Sequence, residues 1–256
     1  MNELSLHFRF LGTFAIGSDT RWHRGPAAKK GRDLLQYLGA YPRRVATGDE
    51  LAEAFWPGEN ADAVAHRIHL AASGARTYLR DMLDGADAID CVAGGYAWAP
   101  NVRVFSDADE FLQLCTHRDT VALQLAADLY GGEFLAGEIA DWLQPMRIRC
   151  ASAFGCAIDR LAEDALAAGD HPKALAYGLQ LVAAEPGHEG ATCLVMRTFA
   201  ALGQRARALG CFAALSAYLE RHLGIGPSAQ TTALAREIRG EIGEAPERAA
   251  RAAPVG

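Results

Sequence analysis

Several patterns that mark enzymes and metalloproteins are missing from this 256-residue sequence. None of the six cysteines belongs to a C-x-x-C pair, and no histidine follows a cysteine pair at zinc-ligand spacing. The sequence has no G-x-S-x-G, P-loop or H-E-x-x-H motif. We set aside a loose dinucleotide-binding match at residues 224–229, because it follows a predicted helix rather than a strand and contains Pro227. We therefore expect no metal, no cofactor and no enzymatic activity.

Long apolar runs are also missing. No uncharged stretch reaches the ~18 apolar residues that a membrane-spanning helix needs. Residues 1–4 lack the basic and apolar regions of a secretion signal. We therefore expect a cytoplasmic protein without membrane association. In that reducing compartment, cysteines are expected to be buried thiols rather than disulfides. The cysteines concerned are Cys91, Cys115, Cys150, Cys156, Cys193 and Cys211.

Basic residues are not in excess. The 25 Lys and Arg residues face 31 Asp and Glu residues, so the formal net charge is −6. An overall basic coat for nucleic acid is thereby excluded, whereas a local basic face is not. Half of the residues are hydrophobic and 22% are charged, which is typical of a globular protein. A chain of this length has room for one large or two modest domains.

The first hundred residues begin with strand signals and continue with helix signals. Residues 4–10 alternate between apolar and polar side chains, and residues 14–16 follow a turn at Gly12, which predicts two antiparallel strands. Leucines at helical spacing predict a helix that starts near Lys29. Thr47 and Glu50 have the spacing of a capping box and predict the start of a second helix.

A long third helix and a hairpin complete this part of the sequence. An apolar stripe predicts the helix over residues 61–83, with Asn60 or Asp62 as its cap. Two short runs around Gly94-Gly95 predict a hairpin. The order of strands, three helices and a hairpin is the plan of a winged helix-turn-helix domain.

The second half is helical and contains an internal repeat. Gly169 and Gly203 are 34 residues apart, and so are Ala174 and Ala208. Each glycine lies in a predicted turn between helices, and a 34-residue helix-turn-helix period is the tetratricopeptide signature. We therefore expect helix pairs that turn at both glycines, with both alanines buried where helices cross.

These patterns predict a mainly α-helical protein with a small β component. We expect a winged helix over residues 1–104, a tetratricopeptide-like helical domain over residues 105–243 and a frayed tail over residues 244–256. Stacked helix pairs offer a groove for a partner. Met146, Arg147 and Arg149 are candidates for an exposed rim of that groove.

The order of features resembles bacterial transcriptional activator domain proteins of the antibiotic-regulatory-protein type, which join a response-regulator-like winged helix to tetratricopeptide-like helices. The matching stretches, spread over residues 4–240, are residues 10–14, 49–56, 94–96, 105–111, 129–135 and 223–228. The resemblance implies binding to double-stranded promoter DNA, dimerisation as a homodimer and contact with RNA polymerase. One stretch departs from the pattern: the family's Ser-Arg-Leu-Arg-Arg run is Ser73-Gly74-Ala75-Arg76-Thr77 here.

The candidate DNA-contacting residues form two groups. The first is the polar face of the third helix, since a recognition helix contacts bases and phosphates from such a face. Its members are His66, Arg67, His69, Ser73, Arg76 and Arg80. The second group lies at the start of the first helix and before the second, where phosphate contacts set the register on DNA. Its members are Lys29, Lys30, Arg32, Arg43 and Arg44.

Roles within these groups follow from position. His66 and Arg67, near the start of the third helix, are the expected base contacts, and Arg76 and Arg80 are expected to contact phosphates or border the core. The hairpin has no Lys or Arg between residues 88 and 99, so we expect it to contribute little to DNA binding. We expect its aromatic side chains, Tyr96 and Trp98, to pack within the domain.

Two functions remain open on this evidence. The first is a DNA-binding transcriptional regulator that acts as an activator. The second is a protein-interaction or ligand-sensing module in which a degenerate winged helix serves as a scaffold. Residues 1–105 contain 12 basic and 12 acidic residues, and this neutral balance favours the second function because DNA-binding domains are usually basic.

Overall fold

A computed structural model of the chain describes residues 3–18 and 21–240. The predicted tail over residues 244–256 lies outside the described residues. The chain divides into two compact units, Met1–Phe154 and Gly155–Gly256. This division falls inside a helix, whereas the expected boundary between residues 104 and 105 falls inside a strand, Val102–Ser106.

The first unit holds the described strands and five complete helices. Its strands are β1 (Leu4–Arg9), β2 (Ala15–Ser18), β3 (Arg21–His23), β4 (Ala46–Thr47), β5 (Ile89–Val92), β6 (Gly95–Trp98) and β7 (Val102–Ser106). Its helices are α1 (Lys29–Ala40), α2 (Gly48–Phe55), α3 (Ala61–Met82), α4 (Asp107–Leu114) and α5 (Thr120–Leu129), followed by a 3-10 turn at Asp141–Leu143. Helix α6 (Gln144–Ala167) begins in this unit and ends in the second.

In the described part of the chain the strands form two sheets. The larger has the order β3-β2-β1-β7, and β1 pairs antiparallel with β2, as predicted, with Phe8 opposite Ile16. Strand β1 also pairs in parallel with β7, with Leu4 opposite Val102. The smaller sheet has the order β4-β6-β5 and includes the predicted hairpin. Strands β3, β4 and β7 were not predicted: β3 and β4 have only three and two residues, and β7 is stabilised by its pairing with the distant strand β1.

The three helices of the winged helix start where the sequence predicts. Thr47 Oγ1 accepts a hydrogen bond from Glu50 N at 3.2 Å, and Thr47 N donates to Glu50 Oε2 at 3.0 Å, so the capping box is confirmed. Asn60 Oδ1 accepts from Asp62 N at 2.8 Å and caps α3. The predicted stripe of α3 is buried at Val64 and Leu79, both 0% exposed.

The hairpin packs onto this helical core. Trp98 donates its Nε1 hydrogen to Leu38 O in α1 at 2.9 Å, and the Tyr96 ring is also buried. The expectation that both aromatic side chains pack within the domain is confirmed. A buried indole N–H needs such an acceptor, so this bond fixes the hairpin on α1.

The expected rim residues are mostly covered. Met146 is 7% exposed, and Arg147 donates through Nε to Phe134 O at 3.0 Å and through Nη2 to Leu135 O and Glu138 O, each at 2.8 Å. The prediction of an exposed rim was therefore wrong for these two residues. Arg149 alone is exposed. Arg147 instead satisfies three backbone carbonyls that no helix or sheet pairs.

The second unit consists of helices. After the end of α6 come α7 (His171–Ala184), α8 (Glu189–Ala201), α9 (Arg205–Leu223) and α10 (Ala229–Arg239). Gly169 (φ 75°) and Gly203 (φ 73°) occupy the turns that precede α7 and α9, in a left-handed conformation that favours glycine. Ala174 and Ala208 are both 0% exposed. The predicted repeat register is confirmed.

The cysteines differ in exposure. Cys150 and Cys193 are buried, Cys115 and Cys211 are intermediate, and Cys91 and Cys156 are exposed. The expectation of buried thiols was wrong for the last two, because Cys91 points outward from the short edge strand β5 and Cys156 lies on the outer side of α6. All six lie in the described ranges, and none forms a disulfide. Within those ranges, no helix is long and apolar enough to cross a membrane.

Candidate nucleic-acid interface

The solvent-facing side of α3 is the surface that a winged helix offers to DNA. His66, His69, Ser73, Thr77 and Arg80 are exposed along this side. Leu70 lies among them with 56% of its surface exposed. The face therefore combines hydrogen-bonding groups with one apolar side chain, the mixture that contacts base edges and the thymine methyl group.

Arg67 lies at the edge of this face. Its guanidinium is ion-paired with Glu59, from the turn before α3, and stands 5.0 Å from the centre of the Trp56 ring. Its side chain is 41% exposed. Both contacts hold the guanidinium close to the start of the helix. Contact with DNA at this position requires the Glu59 carboxylate to be displaced or neutralised.

The two arginines further along α3 are directed towards the hairpin. Arg76 donates Nε–H to Ile89 O at 2.9 Å, and its guanidinium is 5.4 Å from the Tyr96 ring centre. Arg80 is hydrogen-bonded and ion-paired to Asp87, in the loop before β5, and both of these side chains are exposed. Arg76 thus borders the core, one of its two expected positions, and Arg80 remains at the surface.

The basic residues at the start of α1 also have acidic neighbours. Lys29 Nζ is 3.1 Å from Glu138 Oε2, and Lys30 Nζ is 3.3 Å from Asp33 Oδ2. Arg32 Nε is 3.7 Å from Glu138 Oε1. Burial would raise the pKa of Glu138, but its hydrogen bond to Lys29 and the charges of Lys29 and Arg32 lower it below its ordinary value.

The loop before α2 carries the remaining pair of candidates. Arg44 is ion-paired with Glu50, and its guanidinium is 5.2 Å from the Tyr41 ring centre. Arg43 is exposed. Arg43 and the α3 face thus present polar groups to solvent, whereas most of the other basic candidates are compensated by carboxylates.

Sequence reasoning missed the residues that compensate the arginines. Glu59 and Asp87 lie in turns, eight and seven residues from the arginines they pair with. An acidic residue in the turn on either side of a basic helix is a usable signal, because helix ends bring such turns close to the helix surface. Thr77 and Leu70 also lie exposed on the α3 face but were not among the sequence-based candidates. Among the described residues, no group of three His, Cys, Asp or Glu side chains is arranged to hold a metal ion.

The fold and this face define a winged helix-turn-helix protein with a tetratricopeptide-like helical region. The profile of the family described as bacterial transcriptional activator domain matches residues 108–239. The chain is 30% identical over 231 residues to the regulatory protein AfsR of Streptomyces coelicolor, an alignment that spans 83% of this chain and 22% of that protein. The chain thus corresponds to about a fifth of that relative.

A solved structure shows the same fold. Mycobacterium tuberculosis EmbR, in complex with a low-affinity phosphopeptide, superposes with a TM-score of 0.73 over 93% of this chain and 66% of that chain, at 21% sequence identity. The chain belongs to the bacterial transcriptional activator domain family, as its sequence motifs indicated. This family consists of bacterial transcriptional regulators.

Proposed function

We propose that this protein binds promoter DNA through its winged helix and activates transcription. The observation that supports this proposal is the exposed polar face of α3, held in a winged-helix frame by the core of α1 and α2. In this arrangement the recognition helix enters the major groove and the hairpin lies beside it. AfsR, named a regulatory protein, aligns with this chain over 231 residues, and EmbR shares its fold.

Specific roles follow for the side chains of the interface. We assign base contacts to His66 and Arg67, and phosphate contacts to Arg43, which is exposed. Lys29, Lys30 and Arg32 are weaker candidates for phosphate contacts, because Asp33 and Glu138 already neutralise much of their charge. The helical region is assigned to homodimerisation and to contact with RNA polymerase, and the site of action to the cytoplasm.

The test is binding to DNA selected from a random duplex pool. Fluorescence anisotropy of the selected duplex and of a scrambled duplex gives the specificity ratio and its dependence on salt. Arg67→Ala should weaken binding to the selected duplex by about 1–3 kcal/mol and binding to the scrambled duplex much less. Glu59→Gln should strengthen binding to both, because it frees the guanidinium and removes a negative charge.

A matched pair of controls separates these effects from a change in net charge. Arg160 and Asp164 form an exposed ion pair on α6, in the second compact unit. Arg160→Ala and Asp164→Asn repeat the two changes of charge there and should leave DNA binding unchanged. The assignment of Arg67 is wrong if Arg67→Ala and Arg160→Ala have the same effect on both duplexes.

One observation favours a second function, a winged helix that acts as a scaffold for ligand or protein binding. Most of the candidate basic side chains are ion-paired with carboxylates. The acidic partners are Glu59, Asp87, Glu50 and Glu138. Such pairing reduces the phosphate neutralisation on which DNA affinity depends. If the wild-type protein selects no sequence and shows no salt-dependent affinity for any duplex, this second function replaces the first.

A further inference from the structure

A cavity of about 760 Å³ lies in the first unit, lined by α1, α2 and the segment that precedes α6. Its volume lies within the range of small-molecule binding sites. Of the residues proposed to contact DNA, only the weaker candidates Lys29 and Lys30 line it. Its lining is both aromatic and acidic, and these two properties indicate the chemistry of the ligand that it would accept.

Aromatic side chains form one wall of the cavity. The Tyr37 ring centre is 5.2 Å from that of Trp142 and 6.0 Å from that of Phe55, and both neighbouring rings stand edge-on to it. Tyr37 and Phe55 are buried, whereas Trp142 is half-buried. Ile139 adds an apolar side chain that is 94% exposed. An apolar ligand body would pack against these groups.

Negative charge dominates the polar lining. Six carboxylates and two ammonium groups belong to the described residues that line the cavity. The two ammonium groups, on Lys29 and Lys30, are already paired with Glu138 and Asp33. The carboxylates of Asp49, Glu53 and Asp141 are exposed at the rim. An acidic rim beside aromatic faces is the arrangement that recognises organic cations.

A buried amide gives a second and independent indication of a ligand. Gln36 is 2% exposed and lines the cavity; its side chain interacts with the Glu138 carboxylate, but among the described residues its Nε2 makes no hydrogen bond of good geometry. Native proteins rarely leave a buried amide donor unpaired, because its lost hydration is not replaced. A hydrogen-bond acceptor on a bound ligand would supply the missing partner.

We propose that this cavity binds a small organic cation with an apolar body, an amine that also carries a hydrogen-bond acceptor. The cation would lie near the carboxylates of Glu53 and Asp141, the apolar body against Tyr37 and Trp142, and the acceptor towards Gln36. Each part of the ligand thus matches a different part of the lining.

The cavity is connected to the recognition helix through two stacked contacts. Lys30 donates from Nζ to Phe55 O at 2.9 Å and lies 5.0 Å from the centre of the Trp56 ring. Trp56 in turn contacts the guanidinium of Arg67. A ligand that shifts Lys30 therefore changes the surroundings of Arg67. This consequence rests on the proposed DNA-binding function, whereas binding of the amine does not.

Binding is tested without DNA, using amines paired with neutral alcohols of the same shape. The pairs are tryptamine with tryptophol, 4-phenylbutylamine with 4-phenylbutanol, and 5-methoxytryptamine with 5-methoxytryptophol. Ligand-observed NMR titration of the full chain up to millimolar concentration measures each affinity. We expect each amine to bind about tenfold tighter than its alcohol. Equal affinities within all three pairs, or binding by none of these compounds, would overturn the proposal.

Variants locate the site. Glu53→Gln should weaken the binding of the amines several-fold and leave the binding of the alcohols unchanged. Glu110 is an exposed residue of α4 outside the cavity, so Glu110→Gln should change neither affinity. Trp142→Ala should weaken the binding of both amines and alcohols, and Trp142→Phe should restore it. Gln36→Met should abolish any advantage of 5-methoxytryptamine over tryptamine. Binding that survives both Glu53→Gln and Trp142→Ala lies elsewhere and contradicts the proposal.

A basic peptide is the competing occupant. The tripeptide amide Lys-Trp-Lys carries the same cation and ring on a backbone. If it binds more tightly than every amine and is weakened by Glu53→Gln, the cavity accepts a protein segment and the small-molecule proposal is wrong. Failure of DNA binding with intact amine binding would reject only the proposed function, because the two assays share no component except the protein.

Discussion

Two glycines in helices of the winged helix should respond in opposite directions to the same substitution by alanine. Gly39 lies near the end of α1 against the core, and a Cβ there would lie 2.8 Å from Phe8 Cε1 and 2.9 Å from Phe10 Cζ. Gly74 lies in the middle of α3, where a Cβ would meet no described atom within 4 Å. The two positions therefore separate the helix propensity of alanine from the steric cost of its methyl group.

The magnitudes follow from these distances. Alanine is favoured over glycine inside a helix by about 1 kcal/mol, and at Gly74 nothing opposes this gain. At Gly39 the methyl group must displace rings that are 1% and 0% exposed and that stack with their centres 5.4 Å apart. Overpacking of a buried site costs about 1–3 kcal/mol. We expect Gly74→Ala to stabilise by about 0.5–1 kcal/mol and Gly39→Ala to destabilise by about 1–2 kcal/mol.

Thermal unfolding followed by far-UV circular dichroism measures both effects. Each residue lies in the first compact unit, so the same transition reports both variants. A change of 1 kcal/mol shifts the Tm of a unit of this size by about 2–4 °C. Gly210→Ala, in α9 of the second unit, is a control for propensity alone, because a Cβ there also meets no described atom within 4 Å. A Gly39→Ala variant as stable as the wild type would refute the packing argument.

Three further outcomes are expected. Burial alone would raise the pKa of Glu189, but hydrogen bonds, including one from the Thr231 hydroxyl, lower it. The stabilisation that this carboxylate contributes is therefore present above its ordinary pKa and is lost as the pH falls. Glu189→Gln should flatten the dependence of Tm on pH below about 5. Burial raises the pKa of the Cys150 thiol to about 11. Iodoacetamide should therefore modify exposed Cys91 in the native protein and Cys150 only after denaturation. Mass spectrometry of the labelled peptides measures both reactions. Asp107 accepts hydrogen bonds from the backbone N–H groups of Phe10 and Leu11 at 2.7 and 3.2 Å. Asp107→Ala should lower the free energy of unfolding, measured in urea, by about 2–4 kcal/mol. A loss below about 0.5 kcal/mol would mean that water replaces the carboxylate as the acceptor.

Local signals in the sequence determined the helices and their ends. The capping box at Thr47, the Asn60 cap and the apolar stripe of α3 involve residues within a few positions of one another, and such interactions are encoded in short stretches. The 34-residue period predicted that two alanines are buried, for a related reason. A repeated unit must pack on its neighbour in the same way each time, so Ala174 and Ala208 share one environment.

Only the tertiary structure decided which distant groups meet. Leu4 pairs with Val102 in the sheet, and Lys29 pairs with Glu138, 109 residues away. Neither partner carries a local signal that names the other, since strand pairing and ion pairs between distant residues depend on how the chain closes between them. The basic residues were therefore recognisable from the sequence, whereas their neutralisation was not. The aromatic cavity arises in the same way, because its walls come from segments about a hundred residues apart that contact one another only after folding.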